Sequence, residues 1–167
     1  VQFTLSTIFI LTVIVLYNQL NLFLHNDNGF ATSNKLIIPK GSTSIEALKT
    51  ELEKQTNITS VSASSHIPLA GISNGDGFKK SLDEKDWKNL NYFSVDEDYL
   101  TNMELTLVAG KFFSVEAGAS NSNFIILNEE AVKAYQFASP SEAIGQVLIM
   151  ERDSAEMQVL GVVKDYH

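Results

Sequence analysis

Three histidines, at positions 25, 66 and 167, are the side chains best suited to ligate a metal or move a proton near neutral pH, yet no two share the close spacing of a metal site. A structural role is the simpler reading: His25 at a membrane interface, His66 at a strand end. The acidic triplet Asp96, Glu97, Asp98 is tight enough to bind a cation or to divide acid and base roles, because neighbouring carboxylates raise one another's pKa. Helix capping explains it more cheaply, since free amides and the helix dipole stabilise acids at a helix start. Residues 74–77 (NGDG) resemble part of a calcium loop but lack the bidentate Glu at the required spacing, so they are expected to form a turn. Ser60, Ser62, Ser64 and Ser65 have no G-x-S-x-G context, and no G-x-x-x-x-G-K-[ST] loop occurs. Trp87, Tyr92 and Tyr99 are expected in the core rather than on a ligand surface. No catalytic, cofactor-binding or metal-binding residue is assigned, and no enzymatic activity is expected.

The elements around these residues follow from periodicity. Residues 1–24 contain no Asp, Glu, Lys or Arg, and the first charged residue is Asp27. As a helix, residues 3–24 would extend about 33 Å, enough to cross a hydrocarbon core of about 30 Å. Ser and Thr are tolerated there, because a hydroxyl can return its hydrogen bond to a helix carbonyl, and they could also mark a face packed on other helices. A cleaved signal peptide wants a basic start and a small-x-small cleavage site, and neither is present. The chain begins with Val, which suggests a piece of a longer protein. No Lys or Arg follows the span until Lys35, so residues after about 25 are placed outside the cytoplasm.

Beyond a loop at 26–34, residues 35–39 (KLIIP) suggest a short buried strand. Thr43 and Glu46 suggest a capping box opening a helix that ends near Asn57, with Ile45, Leu48 and Leu52 on one face and a Lys49–Glu53 pair on the wet side. Residues 58–65 (ITSVSASS) suggest a second strand, completing a strand-helix-strand unit. The Gly- and Pro-containing stretch 66–77 marks a boundary. Strands are then predicted at 90–95, 104–108 and 123–127, a helical turn at 96–103, and a helix at 129–137 capped by Asn128. A hairpin of 146–150 with 157–163 closes the chain.

Net charge is −8 with a pI near 4.8, which argues against a nucleic-acid partner. Residues 27–68 carry four acids and four bases, whereas residues 69–167 carry 16 acids and eight bases. No Cys is present, so neither a disulfide framework nor a thiolate metal site is available.

Taken in order, QFTLSTIFILTVIVLYNQLNLFLHNDNGF, SVSASSHIP, VDEDYLTNMELTLVAGKFF, ILNEEAVKAY, SPSEAIGQ and VLGVVKDYH resemble the MacB-like periplasmic core domain of FtsX-type permeases in ABC transporters. Lys111 departs from the pattern, which more often has Arg after the glycine. It keeps the charge without the bidentate guanidinium fork. The resemblance implies an α+β class: a transmembrane helix at 1–24, the first half of a membrane-proximal porter subdomain at 34–68, and a distal, strand-rich sabre subdomain at 70–165. It implies that the porter sheet is completed by chain downstream of His167. It implies no cofactor in this chain, ATP being bound by a separate cytoplasmic subunit. The implied partners are membrane lipid, that ATPase, a second permease subunit in a dimer, and a periplasmic adaptor or outer-membrane channel. The implied location is the inner membrane, and the implied role is relay of ATP-driven movement for efflux of peptides, lipoproteins or hydrophobic antibiotics. A membrane-anchored sensor with a small-ligand pocket around residues 68–77 and the aromatics is the alternative, and an anchored hydrolase using Asp96 or His66 a more distant one.

The uneven charge predicts that the acidic distal part stands away from anionic headgroups. Spin-label depth measurements should therefore place Lys49 nearer the bilayer than Glu129, and the reverse order overturns this reading.

Overall fold

The structure, a computed structural model, describes residues 2–25, 29–66 and 73–166. The first helix, α1, spans Gln2–His25, and its stretch Gln2–Asn21 is long and apolar enough to cross a membrane, with none of it buried against the rest of the chain. Ser6, Thr7 and Thr12 donate to the carbonyls of Gln2, Phe3 and Ile8 at 3.1, 2.9 and 2.8 Å. Their hydroxyls are satisfied inside the helix, which removes the cost of placing them in hydrocarbon. His167 and residues 67–72, most of the boundary stretch expected at 66–77, lie outside the described residues, as does the side chain of His25.

Helix α2 is Ile45–Glu53. Its cap is Ser44, whose Oγ accepts from the amide of Ala47 at 3.2 Å, and not the expected Thr43, whose amide closes a turn onto Lys40. The helix stops short of Asn57 because residues 54–57 are exposed and have no apolar contact to hold another turn. Neither flanking segment forms a strand. Residues 35–39 carry no regular secondary structure, and Leu36, Ile37 and Ile38 are 82, 57 and 43% exposed and pair with no described strand. Residues 58–65 make one isolated bridge, Ser64 to Val95. An apolar run supplies half of a ladder, and without a partner it has no sheet hydrogen bonds.

The remaining chain builds one six-stranded sheet: β1 Asn74–Lys79, β2 Lys88–Tyr92, β3 Leu107–Gly110, β4 Phe124–Asn128, β5 Val147–Met150 and β6 Glu156–Val163. Strand order is β2-β1-β5-β6-β3, with β4 parallel to β6 and the other pairs antiparallel. Since β4 pairs along residues 158–163 of β6, β5 and β3 must share the opposite edge, at 156–158 and 161–163. The expected turn at 74–77 is instead the start of β1, pairing in register with β2 from Asn74–Tyr92 onward. Cross-strand pairing outweighs the turn preference of Asn-Gly here. The strand predicted at 104–108 begins three residues later, because Glu104 takes φ 55° as the chain leaves the short helix α3, Tyr99–Asn102. The strand predicted at 90–95 is shifted the other way, opening at Lys88 and closing at Tyr92.

Helix α4, Glu129–Ala134, is capped by Asn128 as expected, with Oδ1 accepting from Ala131 at 3.0 Å. It ends before residue 137 in a Schellman arrangement: Gln136 has φ 56°, and the amides of Phe137 and Gln136 reach the carbonyls of Val132 and Lys133. The C-terminal carbonyls are then met by cations from the sheet. Lys80 Nζ donates to the Tyr135 carbonyl at 3.0 Å, and Lys88 Nζ donates to that of Ala134. Helix α5, Pro140–Ala143, completes the layer.

The core lies between this helical layer and the sheet, around Phe78, Leu127, Val132, Tyr135, Leu148, Val159 and Val162. At the crossing of β3 and β6 two glycines face each other. A Cβ on Gly161 would sit 2.4 Å from the Lys111 carbonyl, and Gly110 has φ 74°. Replacing fully buried Leu148 with Ala should lower stability by about 2–5 kcal/mol, whereas Val115→Ala, at a site 71% exposed, should change it by under about 0.5 kcal/mol. Urea unfolding followed by circular dichroism reads both.

Candidate functional site: a polar seam

Of the residues singled out for possible chemistry, Asp96, Asp98, Tyr99 and the serines at 60–65 meet at one place, the seam where segment 29–66 meets the turn at 94–103. Asp96 Oδ2 accepts from Lys49 Nζ at 2.9 Å and from the Ala63 amide at 2.8 Å. Asp98 Oδ2 accepts from the same ammonium at 2.5 Å. Lys49 therefore bridges two carboxylates and makes no pair with Glu53. Asp98 occupies the N-cap position of α3 but makes no side-chain capping bond, so the capping explanation of the triplet fails and a long-range ion pair replaces it. Sequence periodicity had no means to find this, because residues 49 and 96 are 47 positions apart.

A second knot centres on Asn102. Its Oδ1 accepts from Lys35 Nζ at 3.0 Å and from Ser60 Oγ at 3.1 Å, and its Nδ2 donates to Ser62 Oγ at 2.7 Å. Lys35 Nζ also donates to the Asn102 carbonyl. The backbone adds Ala31 to Met103 at 2.8 Å, Ser65 to Ser94 at 2.8 Å, and Asp96 to Ala63 at 3.1 Å. The serines that suggested a nucleophile are thus hydrogen-bonding partners along the seam.

His66 Nδ1 lies 2.9 Å from Ser65 Oγ, but no carboxylate among the described residues orients the ring, so a nucleophile-base-orienter set is not assembled there. Among the described residues no group of three or more His, Asp or Glu could hold a metal ion. The three aromatics do not share a pocket. Trp87 stacks under Lys79, whose Nζ is 4.2 Å from the ring centre, Tyr92 packs edge-on against Phe78, and Tyr99 against Phe93. Lys111 borders a shallow groove of about 460 Å³ at the β3–β6 crossing, beside Phe124, Ile144 and Gln158.

Burial sets the electrostatics. It pushes the Tyr99 hydroxyl up to about 12, helped by Tyr166 and opposed by a hydrogen bond with Ser64. Burial, with Glu84 nearby, likewise raises Tyr135, whose hydroxyl donates to the Phe78 carbonyl at 3.1 Å. Burial pulls Lys49 down, but the bonds and charges of Asp98 and Asp96 outweigh it, and the ammonium is held above the usual lysine value.

A profile of the MacB-like periplasmic core domain matches residues 4–167. The chain belongs to that family. Among solved structures it is similar to the periplasmic region of MacB from Actinobacillus actinomycetemcomitans, with TM-score 0.55 and 21% identity over 85% of this chain and 65% of that one. It is also similar to the extracellular domain of the noncanonic ABC-type transporter YknZ from Gram-positive bacteria, with TM-score 0.52 and 16% identity over 72% of this chain and 57% of that one. The chain thus spans less than two thirds of either structure. Comparison with curated proteins gives no match. The likenesses bear out the α+β class of this MacB-like domain: an apolar helix followed by a mixed α/β domain.

The raised tyrosines give the domain an alkaline limit. The folded state keeps protons on Tyr99 and Tyr135 that the unfolded chain releases above about pH 10, so stability is full below that pH and falls as pH rises towards 12. The urea midpoint should fall over this window, and Tyr99→Phe combined with Tyr135→Phe should flatten the fall. A midpoint independent of pH from 10 to 12 overturns the assignment.

Proposed function

We propose that this chain is the extracytoplasmic domain and adjoining transmembrane helix of an ABC transporter permease subunit, relaying ATP-driven conformational change for efflux or export. The observation that carries the reading is the match to the MacB-like periplasmic core domain over residues 4–167, joined to a helix that is apolar along Gln2–Asn21 and unburied. The relay needs no chemistry of its own. ATP would be bound by a separate cytoplasmic subunit, in keeping with the absence of a P-loop motif from the sequence. The cargo proposed is peptides, lipoproteins or hydrophobic antibiotics, and the partners are the ATPase, a second permease subunit, membrane lipid, and a periplasmic adaptor or outer-membrane channel. In this reading α1 sits in the inner membrane with the rest outside the cytoplasm. Residues 34–68 form the membrane-proximal part and 70–165 the distal part. The exposed run Leu36, Ile37 and Ile38 supports a proximal sheet completed by strands from elsewhere in the parent protein, because such a run is costly to leave in water.

The chain has no Cys, so single cysteines can be introduced and spin-labelled cleanly. In the parent protein reconstituted into nanodiscs with its ATPase, distances between labels at Ser120 of two subunits should change on addition of ATP and revert after hydrolysis. An ATPase that does not co-purify, together with distances that ignore nucleotide, overturns the proposal.

A further inference from the structure

Two strands share one edge of β6, and where they meet the sheet leaves a groove. Strand β5 pairs up to Gln158 and β3 takes over at Gly161, so the chain at 145–146 and the chain at 110–111 come together beside residues 158–160. The Gly145 amide reaches the Val159 carbonyl at 2.8 Å, and the Lys111 amide reaches that of Leu160 at 3.1 Å. Gly110 and Gly145, at φ 74° and 81°, bring no side chain to fill the space. The groove of about 460 Å³ that remains has Phe124, Ile144 and Leu160 as apolar walls. Two polar side chains border it. Gln158 Nε2 donates to the Gly145 carbonyl at 3.2 Å, which fixes the amide and leaves Oε1 without a hydrogen bond among the described residues. The Lys111 ammonium makes no ion pair or hydrogen bond among those residues, although the chain carries 20 acids.

We propose that this groove docks the carboxy-terminal end of a partner polypeptide. The terminal carboxylate pairs with Lys111, the amide of the penultimate residue donates to Gln158 Oε1, and an apolar last side chain lies on Phe124, Ile144 and Leu160. The spacing fits. Lys111 is tied at Leu160, two residues along β6 from Gln158, or about 6.6 Å at the rise of a strand. An extended peptide spans about 6 Å from its penultimate nitrogen to its terminal carboxyl carbon. Charge complementarity asks for an anion, and the apolar walls with an unused acceptor narrow the choice. A compact anion such as phosphate has no apolar surface for those walls and, beside them, loses hydration without return. A free small acid needs about 70–90% of its surface covered, which a shallow groove does not provide. A chain end needs only its last residue covered, because the rest of the partner continues into solvent and binds elsewhere, and capture of a terminal carboxylate is a recurring mode of peptide recognition. No residue of segment 29–66 lines the groove. The inference concerns a docking end and not a transported cargo, and it does not depend on the transporter reading.

Titration of the 167-residue chain in nanodiscs, followed by amide NMR shifts, tests it with the peptide Gly-Ser-Gly-Ser-Gly-Ser-Leu. Saturable shifts are expected at Gly145, Lys111 and Leu160. The same peptide with its carboxyl end amidated should bind about tenfold more weakly. Lys111→Met, at an exposed site, should weaken the acid peptide to a similar degree and erase the difference between acid and amide, and Lys111→Arg should restore it. Gln158→Met should weaken both forms alike. The compound 4-methylpentanoate, which keeps the leucine side chain and carboxylate but has no amide, should bind about fivefold more weakly than the peptide. Four results each overturn the proposal: no saturable shifts at the groove, equal affinity for acid and amide, discrimination that survives Lys111→Met, or 4-methylpentanoate binding as tightly as the peptide.

Discussion

Strand β6 takes part in three of the sheet's five strand pairings and determines where the others can go. Its residues 158–163 accept β4 along one edge, while β5 and β3 divide the other at 156–158 and 161–163. That division is possible only because the chain at Gly110 and Gly161 approaches closely enough for backbone to meet backbone without a Cβ. Val159 and Val162 then point into the core beneath α4, so one strand supplies both the ladder and the floor of the apolar layer.

The lysines illustrate how an acidic chain uses its few cations. Lys80 and Lys88 reach from the hairpin of β1 and β2 to the carbonyl end of α4, where the helix dipole favours positive charge. At the opposite end of α4, the Asp165 carboxylate accepts from the amide of Glu130 at 2.8 Å. Lys35 and Lys49 hold the seam. A net charge of −8 describes the surface field, while these cations are committed to particular carbonyls and carboxylates inside it.

The molecule thus has two regimes of cohesion. The sheet and its helices are held by burial, which is cooperative and hard to undo in part. Segment 29–66 meets the sheet side through hydrogen bonds and an ion pair that lie beside the buried Tyr99 ring.

The sequence by itself determined the apolar helix, the helix cap at Asn128, the closing hairpin and the family resemblance. Each of these is written in neighbouring residues: an uncharged run, a capping side chain three residues before its amide, two apolar stretches around a polar turn. Only the tertiary structure decided that 74–77 is a strand, that 35–39 and 58–65 lack ladders, that Gln136 ends α4, and that Asp96 serves Lys49 and not a helix start. Those outcomes depend on which distant group arrives opposite each residue. Local periodicity carries no record of a partner 47 positions away.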